Sequence, residues 1–364
     1  MLKQTADVYR NLQQHLDKFA VGFPATKSGV ELRILEYLFT PEEAKLATRL
    51  SDELESVEII YERAKDLVSS QKPLKDLLNE MIKKGTIQYK EKDGERFYAN
   101  AYIVIGMYEY QVNRLTKKFL KYMSQYSEEA LGLELFGYGV TQFRTVPVEA
   151  SITPEHHIPT YDELIKLIEN VSGPISLTNC VCRQGSKIIG NPCKVTSREE
   201  TCLGFGEMAQ MYIDQGWGRE ISKEDAIEVL RKNQADGLVL QGENAQRPGF
   251  ICSCCGCCCG VLSGLKLFPN VVTFLNPRYH AHIDQELCVG CGSCKELCQL
   301  DAIKTRKDKS VINLKRCIGC GNCVAVCPED AIKLVKNDEK GEPPESKEDM
   351  FRKIYAAKQK IKGK

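Results

Sequence analysis

Two runs of closely spaced cysteines near the C-terminus restrict the fold of this chain more than any other feature. Each run has the spacing C-x₂-C-x₂-C-x₃-C, and together they use eight of the 18 cysteines among the 364 residues. The first run consists of Cys288, Cys291, Cys294 and Cys298, and the second of Cys317, Cys320, Cys323 and Cys327. This spacing is typical of cysteines that hold two cubane [4Fe–4S] clusters, which transfer single electrons. Zinc sites more often close with two C-x₂-C pairs.

The pattern repeats beyond the cysteines themselves. Glycines at positions 290, 292, 319 and 321 predict tight loops whose backbone N–H groups turn towards a cluster. His282-Ile283-Asp284 precedes the first run and Val311-Ile312-Asn313 precedes the second, and Asp-Ala-Ile follows each run at 301–303 and 330–332. Each half therefore predicts a strand, a cluster loop, a helical turn and a second strand. The copies differ at one point, because Gln299 stands where the second copy has Pro328.

The segment from about 280 to 335 resembles a bacterial-type two-cluster ferredoxin. The resemblance implies that the fourth cysteine of each run ligates the other cluster. One cluster would then be held by Cys288, Cys291, Cys294 and Cys327. The other would be held by Cys317, Cys320, Cys323 and Cys298.

Composition narrows the setting in which such a chain works. The net charge is +1, so no strong overall field favours nucleic acid or an anionic membrane. No apolar stretch approaches the roughly 18 residues of a membrane span. The first residues lack the apolar core of a signal peptide. Abundant cysteines and oxygen-sensitive clusters predict a reducing cytoplasm, in an anaerobe. Neither a dinucleotide fingerprint nor a Walker sequence is found.

The order of local signals predicts an α+β protein with five regions. Helix signals followed by a β-hairpin predict a winged-helix-like domain over 1–110; among them are a capping box at Thr40 and a helix stop at Gly85. A helical connector is expected over 111–173, with a long helix at about 108–126. A cysteine-rich α/β region is expected over 174–275, and the ferredoxin domain over 276–336. Residues 337–364 predict a linker and a basic C-terminal helix.

Ten further cysteines lie in the middle region and predict at least one more metal centre. They are Cys180, Cys182, Cys193, Cys202, Cys252, Cys254, Cys255, Cys257, Cys258 and Cys259. Four thiolates suit zinc, and buried thiols can also pack as small apolar groups. Six cysteines within eight residues exceed the needs of packing, and in a reduced compartment this density favours soft-metal ligation. We expect an additional iron–sulfur centre here in preference to zinc.

Part of this middle region has its own resemblances. Cys254-Cys255-Gly256 is similar to the Cys-Cys-Gly motif of the heterodisulfide reductase catalytic subunit, which uses two such motifs to hold a noncubane cluster; this chain has one copy. The segment as a whole resembles a group of multi-cluster iron–sulfur proteins that end in a ferredoxin module, a similarity that assigns no reaction.

Other residues are more ordinary candidates. His156 and His157 predict a polar pair at a helix entry, and Trp217 predicts a packing residue. His280 and His282 flank the first ferredoxin strand and are expected to pack or to tune a cluster, since the cysteines already complete both ligand sets. Between Lys72 and Arg96 seven basic residues face five acidic ones, a weaker excess than DNA readers show. Nucleic acid is therefore an improbable partner, and the N-terminal domain is expected to dock a protein.

These observations favour an iron–sulfur electron-transfer protein, acting alone or as a subunit of an oxidoreductase complex, with a redox partner protein. Two alternatives stay open. One is a disulfide or thiol reductase that uses an unusual cluster at the Cys-Cys-Gly segment. The other is a cluster-based redox sensor with a DNA-binding N-terminal domain.

Overall fold

The capping signals of the N-terminal part define its helices. Thr40 forms the predicted capping box: its side chain accepts from Glu43 N–H at 3.3 Å, and Glu43 Oε2 accepts from Thr40 N–H at 2.8 Å. Gly85 ends a later helix in the left-handed conformation, with φ 69°. The computed structural model describes residues 2–151, 162–275, 277–337 and 339–362. Those residues fall into two units, Met1–Tyr138 with Ile354–Lys364, and Gly139–Lys353.

The first unit combines helices with one small sheet. Its elements are α1 Leu2–Leu16, α2 Val30–Leu38, α3 Pro41–Ala47, β1 Glu55–Ser56, α4 Val57–Ala64, α5 Gln71–Lys84, β2 Ile87–Lys92, β3 Glu95–Asn100, α6 Lys117–Tyr126 and α7 Gly132–Phe136. The predicted hairpin is formed by β2 and β3, and β1 adds to it in the order β1-β3-β2. The sequence analysis missed β1, which has only two residues.

The predicted long helix at 108–126 is wrong in its first half. A 3₁₀ turn occupies Glu109–Gln111, and Asn113 takes a positive φ of 66° that an α-helix does not allow. Helix α6 starts only at Lys117, where the Thr116 side chain accepts from Phe119 N–H at 3.2 Å. The later residues of the predicted helix do form α6, but the residues before Lys117 form a turn.

The second unit contains a six-stranded sheet followed by the C-terminal cysteine runs. The first part consists of β4 Phe143–Val146, α8 Leu164–Glu169, β5 Ile175–Asn179, α9 Val181–Ile188, β6 Glu200–Phe205, α10 Gly206–Asp214, β7 Gly218–Ile221, α11 Lys223–Ala235, β8 Val239–Glu243, β9 Phe250–Cys254, α12 Gly260–Leu265 and α13 Val272–Leu275. The strand order is β4-β8-β9-β6-β5-β7. Every pair is antiparallel, so the predicted α/β middle has mixed elements but no parallel sheet.

One face of this sheet carries the apolar core of the unit. Leu177, Leu203 and Ile251 from the central strands pack with Leu164 of α8 and Leu230 of α11. Side chains alternate along a strand, so Cys202 and Cys252, next to Leu203 and Ile251, project from the opposite face. The pair His156–His157 lies outside the described residues.

The C-terminal cysteine runs fold as two similar halves. Their elements are β10 Tyr279–Ile283, α14 Ser293–Glu296, β11 Ile303–Arg306, β12 Lys309–Ile312, α15 Asn322–Ala325 and β13 Ile332–Lys336. The strands form two antiparallel pairs, β10 with β13 and β11 with β12. A last helix, α16 Lys347–Lys362, follows. None of the helices in the described ranges combines the length and the apolar character that crossing a bilayer requires.

Candidate metal centres

The C-terminal halves enclose two cavities, each lined by four cysteines. The first, which we call the outer cavity, is lined by Cys288, Cys291, Cys294 and Cys327. The second, which we call the inner cavity, is lined by Cys298, Cys317, Cys320 and Cys323. Each cavity thus takes three cysteines from one run and the fourth from the other. Four convergent thiols around one largely apolar space are the ligand set that a cubane cluster needs.

Glycines shape the wall of each cavity. Gly290 and Gly319 have φ angles of 71° and 65°, which side chains with a Cβ rarely adopt. A Cβ on Gly290 would lie 1.8 Å from the carbonyl oxygen of Asp308, and one on Gly319 would lie 2.2 Å from that of Tyr279. The two halves therefore use the same device, in which a cysteine loop packs directly against the backbone of the opposing segment.

Backbone N–H groups point at the cysteine sulfurs. Ala281 N–H donates to Cys317 Sγ at 3.3 Å, and Ala302 N–H donates to Cys298 Sγ at 3.2 Å. Burial nevertheless raises the pKa of Cys320 to about 12, against donation from Asn322 N–H. The Cys320 thiol would therefore release a proton when it binds a cluster.

The inner cavity faces the six-stranded sheet. Asn322 Nδ2 donates to the carbonyl oxygens of Gly237 and Leu238 at 2.8 and 3.2 Å, and Val148 N–H donates to that of Cys320 at 3.0 Å. The guanidinium of Arg316 donates to the carbonyl oxygens of Leu300, Phe268 and Lys266. These bonds seat the inner cavity on the middle region.

The outer cavity faces solvent instead. Cys291 is exposed, and Val289 and Leu287 beside it are 62% and 52% exposed. By contrast, Ile318 and Asn322 at the inner cavity are 4% and 2% exposed. Of the two candidate cluster sites, the outer one is the more accessible to another protein.

Comparison with known families agrees with this geometry. Two family models, both described as a 4Fe-4S dicluster domain, match residues 281–334 and 316–355. The C-terminal segment is a 4Fe–4S dicluster module. No curated protein and no solved structure matches the chain. The resemblance inferred from the cysteine spacing is confirmed for this segment.

Upstream of the dicluster module, six of the ten central cysteines form a ring. Each thiol lies beside two others, in the order Cys180, Cys182, Cys259, Cys254, Cys252 and Cys202, and Cys202 closes the ring on Cys180. We call this set the six-cysteine ring. Its members are buried or half-buried.

The antiparallel sheet brings the ring together. Cys202 lies on β6, and Cys252 and Cys254 lie on the neighbouring strand β9. The pairing of β5 with β6 shifts in register between Thr178 and Asn179, just before Cys180, the N-cap of α9. Cys180 and Cys259, the first and last members of the ring in sequence, are 79 residues apart. All six thiols therefore come together at one end of three strands.

The other four central cysteines form a separate and tighter set, which we call the four-cysteine group. It consists of Cys193, Cys255, Cys257 and Cys258. Their sulfur atoms all lie within 4.8 Å of one another. The two cysteines of the Cys-Cys-Gly motif are thus divided, because Cys254 belongs to the ring and Cys255 to the four-cysteine group.

A buried arginine lies between the two sets. Arg183 on α9 is 3% exposed, and its guanidinium donates to Thr201 Oγ1 at 2.8 Å and to the Ser253 carbonyl oxygen at 3.2 Å. Burial disfavours its charge, but Cys180 of the ring and Cys193 of the four-cysteine group hold the pKa of Arg183 above its ordinary value. The guanidinium can therefore offset the negative charge of thiolates on both sides.

Gln299 joins the middle region to the dicluster module. Its Oε1 accepts from Gly256 N–H at 2.9 Å, and a Cβ on Gly256 would lie 2.1 Å from the Gln299 carbonyl oxygen. Gly256 lies between Cys255 and Cys257, and Gln299 follows Cys298 of the inner cavity. The one departure from the internal repeat thus marks the contact between two cysteine sites.

The side chains of the remaining candidates do not line either cavity of the dicluster module. His280 and His282 are on β10, paired with Val335 and Lys333, and neither lines the outer or the inner cavity. Burial, with His282 nearby, lowers the pKa of His280. Trp217 is buried, and its ring packs edge-on against Tyr212 with the centroids 5.5 Å apart.

Sequence reasoning missed the polar groups that support these sites. Arg183 follows Cys182 directly, and a basic residue inside a cysteine motif was the available signal. Arg278 is nearly buried, with Nε 3.2 Å from Asp162 Oδ2, and Arg144 contacts the same carboxylate at 2.8 Å. Nothing local to either sequence position indicated that pairing.

Proposed function

We propose that this chain is a multi-centre iron–sulfur electron-transfer protein. The observation that carries the proposal is the pair of four-cysteine cavities in the dicluster module, one open to solvent and one seated on a further set of cysteines. Cubane clusters exchange single electrons without binding a substrate, and burial, N–H donation and nearby charge set their potentials. Electrons would pass between a partner at the outer cavity and the middle region behind the inner cavity.

The six-cysteine ring is the proposed site of a further iron–sulfur centre. Its thiols surround a space instead of converging on one point: among the described residues, no three of them belong to a group with all sulfurs within 4.8 Å. Thiolates spread in this way suit a cluster of several irons, in which each thiolate binds a different iron. Six ligands are two more than a cubane uses, so the centre would differ from the two in the dicluster module.

Two observations link the proposed centres in one order. Gln299, which follows Cys298, accepts a hydrogen bond from Gly256 in the turn that carries three cysteines of the four-cysteine group. Asn322, next to Cys323, donates a hydrogen bond to the backbone just before β8. The exposed apolar side chains of Leu287 and Val289 supply a docking surface at the opposite end. The proposed order is therefore partner, outer cubane, inner cubane and the cysteine sites of the middle region, in either direction.

Cluster content and electron exchange test the proposal together. Anaerobically purified protein should contain more than the roughly eight irons of two cubanes, with acid-labile sulfide in proportion. In Cys320→Ala, which removes a ligand of the inner cavity, freeze-quench EPR should show slower reduction of the ring centre by an electron donor protein. The control Leu314→Ala changes an exposed residue near Cys317 and should behave as the unchanged protein does. Iron that stops at two cubanes, or an unchanged rate in Cys320→Ala, contradicts the proposal.

A second candidate function follows from the surplus ligands of the ring. A cluster with more thiolates than it needs can free one to attack a disulfide, and Cys254 of the Cys-Cys-Gly segment lies in the ring. Because Cys255 lies in the other set, the single variants are informative. Disulfide reduction with a reduced viologen as donor, lost in Cys254→Ser and kept in Cys255→Ser, would establish a reductase in place of a carrier.

For the N-terminal unit we propose a winged-helix-like docking domain for a protein partner. Helix α5 and the β2–β3 hairpin would be the DNA-reading parts of such a domain, but their basic residues are partly paired. Lys84 contacts Glu43 at 2.7 Å, Lys83 contacts Glu80 at 2.7 Å and Arg96 contacts Glu91 at 3.3 Å. Paired charges weaken attraction to phosphate, so tight, sequence-selective DNA binding that persists at high salt would instead support the sensor alternative.

A further inference from the structure

The four-cysteine group has the dimensions of a site for a single ion. Cys193 Sγ lies 3.6 Å from Cys255 Sγ and 3.9 Å from Cys257 Sγ. Cys257 Sγ lies 3.5 Å from Cys255 Sγ and 3.6 Å from Cys258 Sγ. Thiolates at about 2.3 Å from a tetrahedral metal ion are about 3.8 Å from one another. Four of the six sulfur–sulfur distances therefore match those of a tetrahedral site, and the other two are no longer than 4.8 Å.

The other cysteines of the chain provide an internal comparison. Among the described residues, this is the only group of three or more potential ligands whose donor atoms all lie within 4.8 Å of one another. The two ligand sets of the dicluster module, which suit cubanes, do not come so close, and neither does the six-cysteine ring. The sulfur atoms of the four-cysteine group are therefore closer together than those of the six-cysteine ring or of the dicluster module.

The surroundings of the four-cysteine group favour thiolates that are bound to a metal ion. Val195 N–H donates to Cys193 Sγ at 3.4 Å, in a loop between α9 and β6. Nε of Arg183 is buried and has no hydrogen-bond acceptor among the described residues. The Arg183 guanidinium lies near Cys193 and Cys255. A thiolate held by a metal ion would supply the missing negative charge.

We propose that Cys193, Cys255, Cys257 and Cys258 bind one tetrahedral thiophilic metal ion, zinc or iron, in a site separate from the cluster of the six-cysteine ring. Binding replaces four thiol protons by one divalent ion, so the site gains M²⁺ and releases up to four H⁺ without any change of oxidation state. The ion would tie the loop at Cys193 to the turn after β9. The proposal does not depend on the electron-transfer function.

The experiment compares one ligand from each central set in the full-length chain. Cys257→Ser changes the exposed cysteine of the four-cysteine group, and Cys252→Ser changes a cysteine of the six-cysteine ring on β9. Zinc, iron and acid-labile sulfide are measured per chain after anaerobic purification. We expect Cys257→Ser to lose one metal ion and no sulfide, and Cys252→Ser to lose several irons together with sulfide. Cys193→Ser, from the other segment, should reproduce the loss seen in Cys257→Ser.

Spectroscopy distinguishes the two metals and gives a readout independent of turnover. If the ion is zinc, X-ray absorption at the zinc edge should show four sulfur ligands at about 2.3 Å, lost in Cys257→Ser. If it is iron, the oxidised protein should show a high-spin ferric EPR signal that the same variant lacks. Either result supports the site. Sulfide lost in step with iron in Cys257→Ser, or metal content unchanged by that variant, overturns it.

Discussion

Gln299 shows at the scale of one residue how an irregularity in a repeat acquires a role. A proline at this position, as in the second copy, could not accept the hydrogen bond that Gln299 Oε1 accepts from Gly256 N–H at 2.9 Å. The side-chain amide fixes the turn between Cys255 and Cys257 against the dicluster module. One substitution therefore couples two sites that the linear sequence separates by 43 residues.

Removing this acceptor should loosen the cysteine turn. In Gln299→Ala we expect the Gly256 amide to lose about 1 kcal/mol of protection, which is roughly a fivefold faster exchange. Hydrogen–deuterium exchange of the segment 250–262 measures it. Gln285→Ala, whose side chain donates to Ser310 O at the other end of the module, is the control and should leave this segment unchanged. Equal exchange in both variants would show that the contact is not formed in solution.

Asp162 is the single carboxylate between two buried arginines. Its side chain is fully buried, and it also accepts from Tyr279 Oη at 3.1 Å. In Asp162→Ala the charges of Arg144 and Arg278 would be left uncompensated, which should lower the free energy of unfolding of the second unit by about 3–5 kcal/mol. Chemical denaturation followed by cluster absorbance measures the change. Glu200→Ala removes an exposed partner of Arg219 and should cost less than about 1 kcal/mol; a similar cost for both variants would contradict the argument.

At the scale of elements, the predicted basic C-terminal helix, α16, carries a buried lysine. Lys358 is 2% exposed, and its Nζ contacts Glu134 Oε1 at 2.6 Å and the carbonyl oxygens of Asp17 and Phe19 at 3.3 Å. Glu134 in turn accepts from Gly22 N–H and from Tyr138 Oη. The C-terminal part of the helix is therefore built into the first unit, which the chain completes only at its end.

This buried pair makes the first unit sensitive to one lysine. Lys358→Met should destabilise that unit by about 3–5 kcal/mol, because Glu134 would keep its charge without its partner. Lys360→Met changes an exposed residue two positions further along α16 and should have an effect below about 0.5 kcal/mol. Circular dichroism during denaturation compares the variants. If both lysines prove equally dispensable, α16 does not pack in solution as described.

At the scale of the whole molecule, the described sites differ in access. Cys291 is exposed at the outer cavity, whereas Asn322 and Arg316 tie the inner cavity to the middle region. A chain of centres needs such an order, because an electron must enter at a surface that a partner can reach and leave through neighbours that solvent cannot. The dicluster module has one cavity that a partner can reach and one that contacts the middle region.

Iron removal should follow the same order. When a chromogenic chelator is added to the intact protein, the roughly four irons of the outer cubane should leave before those of the inner cubane. Stopped-flow absorbance of the chelate measures the phases, and Cys291→Ser, which replaces an outer ligand, should lack the fast one. Release of the inner iron first, identified by an unchanged fast phase in Cys291→Ser, would reverse the assignment of outer and inner.

The sequence alone determined the dicluster module and the main local elements. Ligand spacing in a cluster loop is local, so C-x₂-C-x₂-C-x₃-C identified the module, which the family comparisons confirm. Capping at Thr40 and the stop at Gly85 are also local and were predicted correctly. Only tertiary structure decided how the ten central cysteines divide, because neighbours such as Cys254 and Cys255 point in different directions at a strand end. It likewise decided the burial of Arg183, Arg278 and Lys358, since a charge is buried only where distant segments supply its partners, and no local pattern records them.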